Sequence, residues 1–161
     1  MRVFAIDPGN VQSAYCTIDA ETLEPLNFEI IPNEQLLGLI KSAKFGETDR
    51  AAIEMMQSYG NLIGKHVLDT VYWIGRFYET LTRKLYGEPA LIYRIDEKMH
   101  ICHDSRAGDA NIRRALIDRF CKHDFRTGRG TVKNPDWFHG FKRDIWAAYA
   151  VGLTYIETKL N

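Results

Sequence analysis

Two short apolar runs, each stopping on a carboxylate, constrain this chain more than any other feature. Val3-Phe4-Ala5-Ile6 has the length and composition of a buried strand, and it ends on Asp7 with Pro8-Gly9 directly behind. Ala51-Ala52-Ile53 repeats the pattern and ends on Glu54. A charge next to a buried strand is costly unless it is paired or binds a cation. A third acid, Asp144, opens an apolar helical stretch near the C-terminus. Three carboxylates at the ends of three separate elements point to a divalent-metal site.

The elements around these acids follow from periodicity. Strands are expected at about 2–7, 12–19 and 25–31; in the second, Ala14, Cys16 and Ile18 alternate with Ser13, Tyr15 and Thr17. Their short spacings make an antiparallel meander. Asn33 is expected to cap a helix running to about Ala43, with Leu36, Leu37, Leu39 and Ile40 inward. A fourth strand covers 50–55. A long helix is expected over Leu62–Tyr86, with one stripe of Ile63, Val67, Val71, Ile74, Tyr78, Leu81 and Leu85. A second stripe carries Leu68, Tyr72, Trp73 and Phe77. One apolar stripe suffices for a helix that covers a sheet, so the second predicts cover from another subunit and hence a homodimer.

A fifth strand is expected at 90–95, continuing through 99–102, with a helix from near Asp109. Residues 125–136 are rich in glycine and bases and are expected to form a mobile loop. The last helix is expected at 141–160, where Ala147, Ala148, Ala150 and Gly152 permit close packing on the sheet. This pattern predicts one α/β domain of 161 residues, a mixed sheet with strand one central and strand four beside it. In that sheet Asp7 and Glu54 lie at neighbouring strand ends, and Asp144 at a helix start faces them.

The composition, 45% hydrophobic and 26% charged, suits a soluble domain and excludes a membrane span, because no run approaches the ~18 apolar residues one needs. No secretory signal is expected, and three cysteines suit free thiols in a reducing, cytoplasmic setting. Net charge is zero, but its distribution is uneven. Residues 1–58 hold nine acids against four bases, and residues 106–143 hold ten bases against four acids. A basic segment beside an acidic cluster suits an enzyme that holds a polyanion and cuts it with metal. Arg113, Arg114, Lys133, Lys142 and Arg143 are the candidate phosphate contacts. Carboxylate donors suit Mg²⁺ or Mn²⁺, with one ion activating water and another stabilising the leaving oxygen. His100, Cys102, His103, Cys121 and His123 match no zinc spacing, and Gly9-Asn10 lacks a phosphate-cradling glycine pattern.

Three blocks in this order, Ile6-Asp7-Pro8-Gly9, Ala52-Ile53-Glu54 and Asp144 followed by the small-residue run to Gly152, resemble the RuvC-type Holliday junction resolvases, above all their phage-borne branch. The resemblance spans nearly the whole chain. It implies a ribonuclease H-like fold, a five-stranded sheet built from the meander plus two parallel strands and flanked by helices. It implies a crossover junction endodeoxyribonuclease that resolves branched DNA by paired nicks as a homodimer. Asp7, Glu54 and Asp144 are then the catalytic, metal-binding acids, and Tyr59, just after Glu54, is placed to stack on an unpaired base.

The chain departs from the family at one point. The family carries two acids, or a His and an acid, three residues apart before the small-residue run. Here only Asp144 is acidic: the other position falls on Ala147 or on Phe141, depending on the alignment. Asp109, Asp136 and His139 are the candidate fourth ligands, with helix capping the competing role for Asp109. With three acids, at least one ion is expected to be weakly held until substrate phosphate completes its shell. The alternatives are a flap, nick or RNA–DNA hybrid nuclease, and a non-catalytic junction-binding protein.

Overall fold

A computed structural model describes residues 1–58, 60 and 62–160. Three strands, β1 (Arg2–Asp7), β2 (Gln12–Asp19) and β3 (Pro25–Pro32), form the antiparallel meander. Helix α1 (Asn33–Ser42) leads to β4 (Arg50–Met55), which pairs parallel with β1. Helix α2 (Lys65–Thr82) follows, then β5 (Ala90–Tyr93), parallel to β4. The sheet order is β3-β2-β1-β4-β5. Helices α3 (Arg94–Cys102), α4 (Asp109–Phe120) and α5 (Ile145–Tyr155) complete the fold, with a closing π-helical turn at Ile156–Leu160. Among the described residues, no helix is long and apolar enough to cross a membrane.

Helices cover both faces of the sheet, so its central strands are apolar on both sides rather than alternating. Phe4, Ile6, Tyr15, Ala51 and Ile53 pack towards α1 and α2. Val3, Ala5, Ala14, Cys16, Ile18 and Ala52 pack towards α4 and α5. Close approach of α5 depends on Gly152: a Cβ there would lie 2.5 Å from Ile18 Cδ1 and 2.9 Å from the Ala5 Cβ. Asp49 fixes the far end of β1 by accepting from the Arg2 and Gly46 backbone N–H groups, at 3.1 and 2.8 Å, and by pairing with the Arg2 guanidinium.

Several boundaries differ from the sequence expectation. Residues 94–102 form helix α3, not the end and continuation of a strand; Asp96 and Glu97 favour its N-terminus, and the Tyr93 N–H donates to Asp96 Oδ2. Helix α2 starts at Lys65 rather than Leu62, and helix α5 starts at Ile145 rather than Phe141. In α2, Phe77 belongs to the buried face with Ile74 and Leu81, whereas Val71 is exposed beside Leu68 and Tyr72. Asn33 does not cap α1: it is the first helical residue, and no side-chain cap forms there. Residues 125–136 are bound to the body by two carboxylates. Asp136 accepts from the N–H groups of Lys122, His123, Asp124 and Trp137, and Asp124 accepts from those of Arg126, Thr127 and Gly130.

Candidate functional site

Asp7 is the last residue of the central strand. Its parallel neighbour pairs Ile6 with Ile53, so the next residues along, Asp7 and Glu54, emerge side by side at one sheet edge. The turn behind Asp7 is locked. Gly9 N–H donates to Ser13 Oγ at 3.1 Å, Ser13 Oγ donates to Asn33 Oδ1 at 2.6 Å, and Asn33 Nδ2 donates to the Gly9 carbonyl at 2.9 Å. Ser13 and Asn33 are buried. Any side chain at Gly9 would meet the Gln12 carbonyl, since a Cβ there would lie 2.2 Å from that oxygen. The Asp-Pro-Gly sequence therefore holds one carboxylate rigidly at the end of β1.

Asp144 stands at the start of α5, and its charge acts on Asp7. It occupies the N-cap position of α5 but makes no side-chain cap bond, leaving its carboxylate free of the capping role. Arg143 just before it has φ of 45°, a left-handed turn that a non-glycine residue adopts only where its surroundings impose it. The Asp7 carboxyl is raised well above the ordinary range, first by burial, then by the Glu54 charge and a hydrogen bond shared with Glu54, and further by the charges of Asp144 and Glu97. Among the described residues, no three His, Cys, Asp or Glu side chains already form a metal cage. The donor set is carboxylate oxygen throughout, which fits a hard cation such as Mg²⁺ or Mn²⁺.

The sequence reading missed Glu97. It lies in the first turns of α3, which follows β5 without a loop and so rises beside the Glu54 end of β4. Glu97 is 0% exposed. Its pKa is pushed up to about 8, by burial first and then by the Glu54 charge, against the opposing pull of Arg94. Arg94 bonds Glu97 Oε2 at 2.6 Å and also pairs with Asp109. The available signal was the Asp96-Glu97 pair, acids suited to a helix first turn, in a segment whose Ile and Tyr residues read as strand.

The candidate fourth ligands are occupied elsewhere. Asp109 neither caps α4 nor lies buried; its side chain is 93% exposed and paired with Arg94. Asp136 holds four backbone N–H groups, and His139 Nδ1 lies 2.9 Å from the Arg129 carbonyl oxygen. Phe141 is buried against Phe28, Phe138, Trp146 and Tyr149.

An open cavity of about 490 Å³ flanks Asp144, with Arg113, Arg114, Arg126 and Arg143 around it. Arg113 lies 4.8 Å from the centre of the Trp146 ring, and Arg114 is paired with Asp118 and donates to the Phe125 carbonyl. Among the described residues, the Arg126 and Arg143 guanidinium groups have no partner. Lys142 lines a separate cleft with Arg129 and His139, and Lys133 lines neither. Tyr59 lies outside the described residues.

No known protein-family profile matches this sequence, and no curated protein sequence does so either. Solved structures do. Thermus thermophilus RuvC superposes with a TM-score of 0.63 at 15% identity, over 99% of this chain and 96% of that one. T. thermophilus RuvC in complex with Holliday junction substrate superposes with a TM-score of 0.61 at 15% identity, over 96% of this chain and 92% of that one. The chain therefore has the RuvC fold, the ribonuclease H-like arrangement that the sequence motifs imply.

Proposed function

We propose that this protein is a metal-dependent, structure-selective DNA endonuclease that resolves branched DNA by paired nicks. The observation that carries the reading is Asp7 and Glu54 at neighbouring ends of β1 and β4, with the charge of Asp144, at the start of α5 beside an arginine-lined cavity, acting on Asp7. The shared fold with RuvC, one of whose structures holds a Holliday junction substrate, supports the choice of substrate.

Bound at Asp7, Glu54 and Asp144, Mg²⁺ or Mn²⁺ would supply Lewis acidity and charge neutralisation at the scissile phosphate. The chain's own residues do the rest. The Gly9–Ser13–Asn33 hydrogen bonds keep Asp7 from swinging out of the site. Arg113, Arg126 and Arg143 bind the flanking phosphates, and stacking on Trp146 fixes Arg113 in place. The N-terminus of α5 adds partial positive charge near the same phosphates. Tyr59 stacks on an unpaired base at the branch. A second copy covers the outer face of α2, where Leu68 is 58% and Tyr72 63% exposed, and brings a second centre to the second strand.

Cleavage of a four-way junction, a flap and an RNA–DNA hybrid, with and without Mg²⁺, tests this reading. Wild type is expected to cut the junction only with Mg²⁺, and Asp7→Asn to bind it without cutting. Cutting of the flap or hybrid alone would reassign the substrate. Junction binding without any cleavage would make the protein a junction binder.

A further inference from the structure

Glu97 has a feature that an ordinary buried ion pair does not require. Its Oε2 is held by Arg94 at 2.6 Å, but its Oε1 is buried with no hydrogen-bond partner. A buried carboxylate oxygen without a partner forfeits its hydration and gains nothing in return, so native proteins rarely keep one. Arg94 does not use its second arm on Glu97; that arm goes to Asp109. One oxygen of Glu97 is thus anchored and the other is left open.

The open oxygen belongs to a group close to the acidic centre. Helix α3 begins where β5 ends, and β5 runs parallel to β4 with Glu54 opposite Ile92. The Glu97 charge acts on Asp7, and the Glu54 charge acts on Glu97. Neither position three residues from Asp144 offers a second acid: Phe141, before α5, is buried among aromatic rings, and Ala147, within it, carries no donor.

We propose that Glu97 supplies the fourth carboxylate of this centre, reaching it from α3, with Arg94 as the positioning residue that orients it. The inference rests on the metal-dependent reading above. The centre then draws one carboxylate from each of β1, β4, α3 and α5, and its charge balances two divalent cations. Arg94 plays the part of the partner that fixes a ligating carboxylate through its other oxygen.

Mn²⁺ binding to the full chain, followed by electron paramagnetic resonance of the free ion, tests the assignment in wild type, Glu97→Gln, Glu97→Asp and the distant surface control Glu47→Gln. Glu97→Gln is expected to weaken Mn²⁺ binding by about 10–100-fold. Glu97→Asp, which keeps the charge but shortens its reach, is expected to fall between Glu97→Gln and wild type, and it decides the matter if Glu97→Gln does not fold. Glu47→Gln is expected to match wild type. A Glu97→Gln chain that melts earlier yet binds Mn²⁺ like wild type would make Glu97 a purely structural ion-pair residue and overturn the proposal. Wild type that binds Mn²⁺ but cuts no junction would overturn the nuclease reading alone, and the Mn²⁺ affinities of the two Glu97 variants would still decide this proposal. Wild type that binds no Mn²⁺ would overturn both.

Discussion

Replacing Asp7 by Asn should make the metal-free protein more stable while abolishing cleavage. Asp7 is raised by burial and by the charges of Glu54, Asp144 and Glu97, so its ionised form is unfavourable in the folded state. At an effective dielectric of about 20, two carboxylates 4–6 Å apart repel by roughly 3–4 kcal/mol. Partial protonation and solvent screening remove much of this, leaving an expected gain of about 1–2 kcal/mol for Asn. For a chain of this size that is a rise in Tm of about 2–8 °C. The pH dependence has a definite sign. An acid whose folded pKa is raised binds its proton more tightly in the native state, so native stability is lost as pH rises from the unfolded value, about 3.9, through the folded one. The advantage of Asn should therefore be absent near pH 4, grow with pH, and be largest above the folded pKa. Mg²⁺ should shrink it, because the cation binds the native wild type and stabilises it by mass action. Differential scanning calorimetry between pH 4 and 9, with and without Mg²⁺, measures all of this. An Asn variant that melts below wild type at pH 8 without metal would mean that Asp7 is held by attraction and not repelled by its neighbours.

Three further outcomes follow from other parts of the molecule. Asp136→Ala leaves four backbone N–H groups without their acceptor and should cost about 3 kcal/mol, or about 6–12 °C in Tm. Asp136 is held well below the ordinary carboxylate range by those N–H groups against the opposing effect of burial, so this stabilisation should be present above about pH 4 and lost below it, a trend that acid unfolding of both proteins would reveal. The double change Arg113→Ala and Arg143→Ala should flatten the salt dependence of junction binding by about 1–2 in logarithmic slope, measured by titration at several salt concentrations; an unchanged slope would put the DNA on another face. Tyr72→Glu should convert a dimer to monomers in sedimentation, and a dimer that survives it would lie on another surface.

Much of this architecture was legible in the sequence, because period and punctuation carried it. The run Val3–Ile6, its acid and Pro8-Gly9 specify β1 and its end; the spacing of Leu36, Leu37 and Ile40 specifies the buried face of α1. The neighbouring positions of Asp7 and Glu54 followed from placing β4 beside β1. What stayed hidden depends on contacts distant in sequence. Asn33 looked like a helix cap, but Gly9 and Ser13, brought to it by the fold, take its side chain instead. Glu97 was hidden because Ile92, Tyr93 and Ile95 favour a strand locally, whereas the acids behind them and tertiary packing make a helix. Phe77 reads as outer-face by spacing, but the groove between α2 and the sheet buries it.

A supercoiled plasmid that extrudes a cruciform separates metal-dependent paired nicking from single nicking. Two nicks placed across the junction within one binding event linearise the circle, whereas single nicks leave it open and relaxed. Wild type is expected to give linear product in Mg²⁺ and none in EDTA, and Asp7→Asn to give none. Linear product at the same rate in EDTA would rule out metal dependence, and no product of any kind in Mg²⁺ or Mn²⁺ would rule out a nuclease.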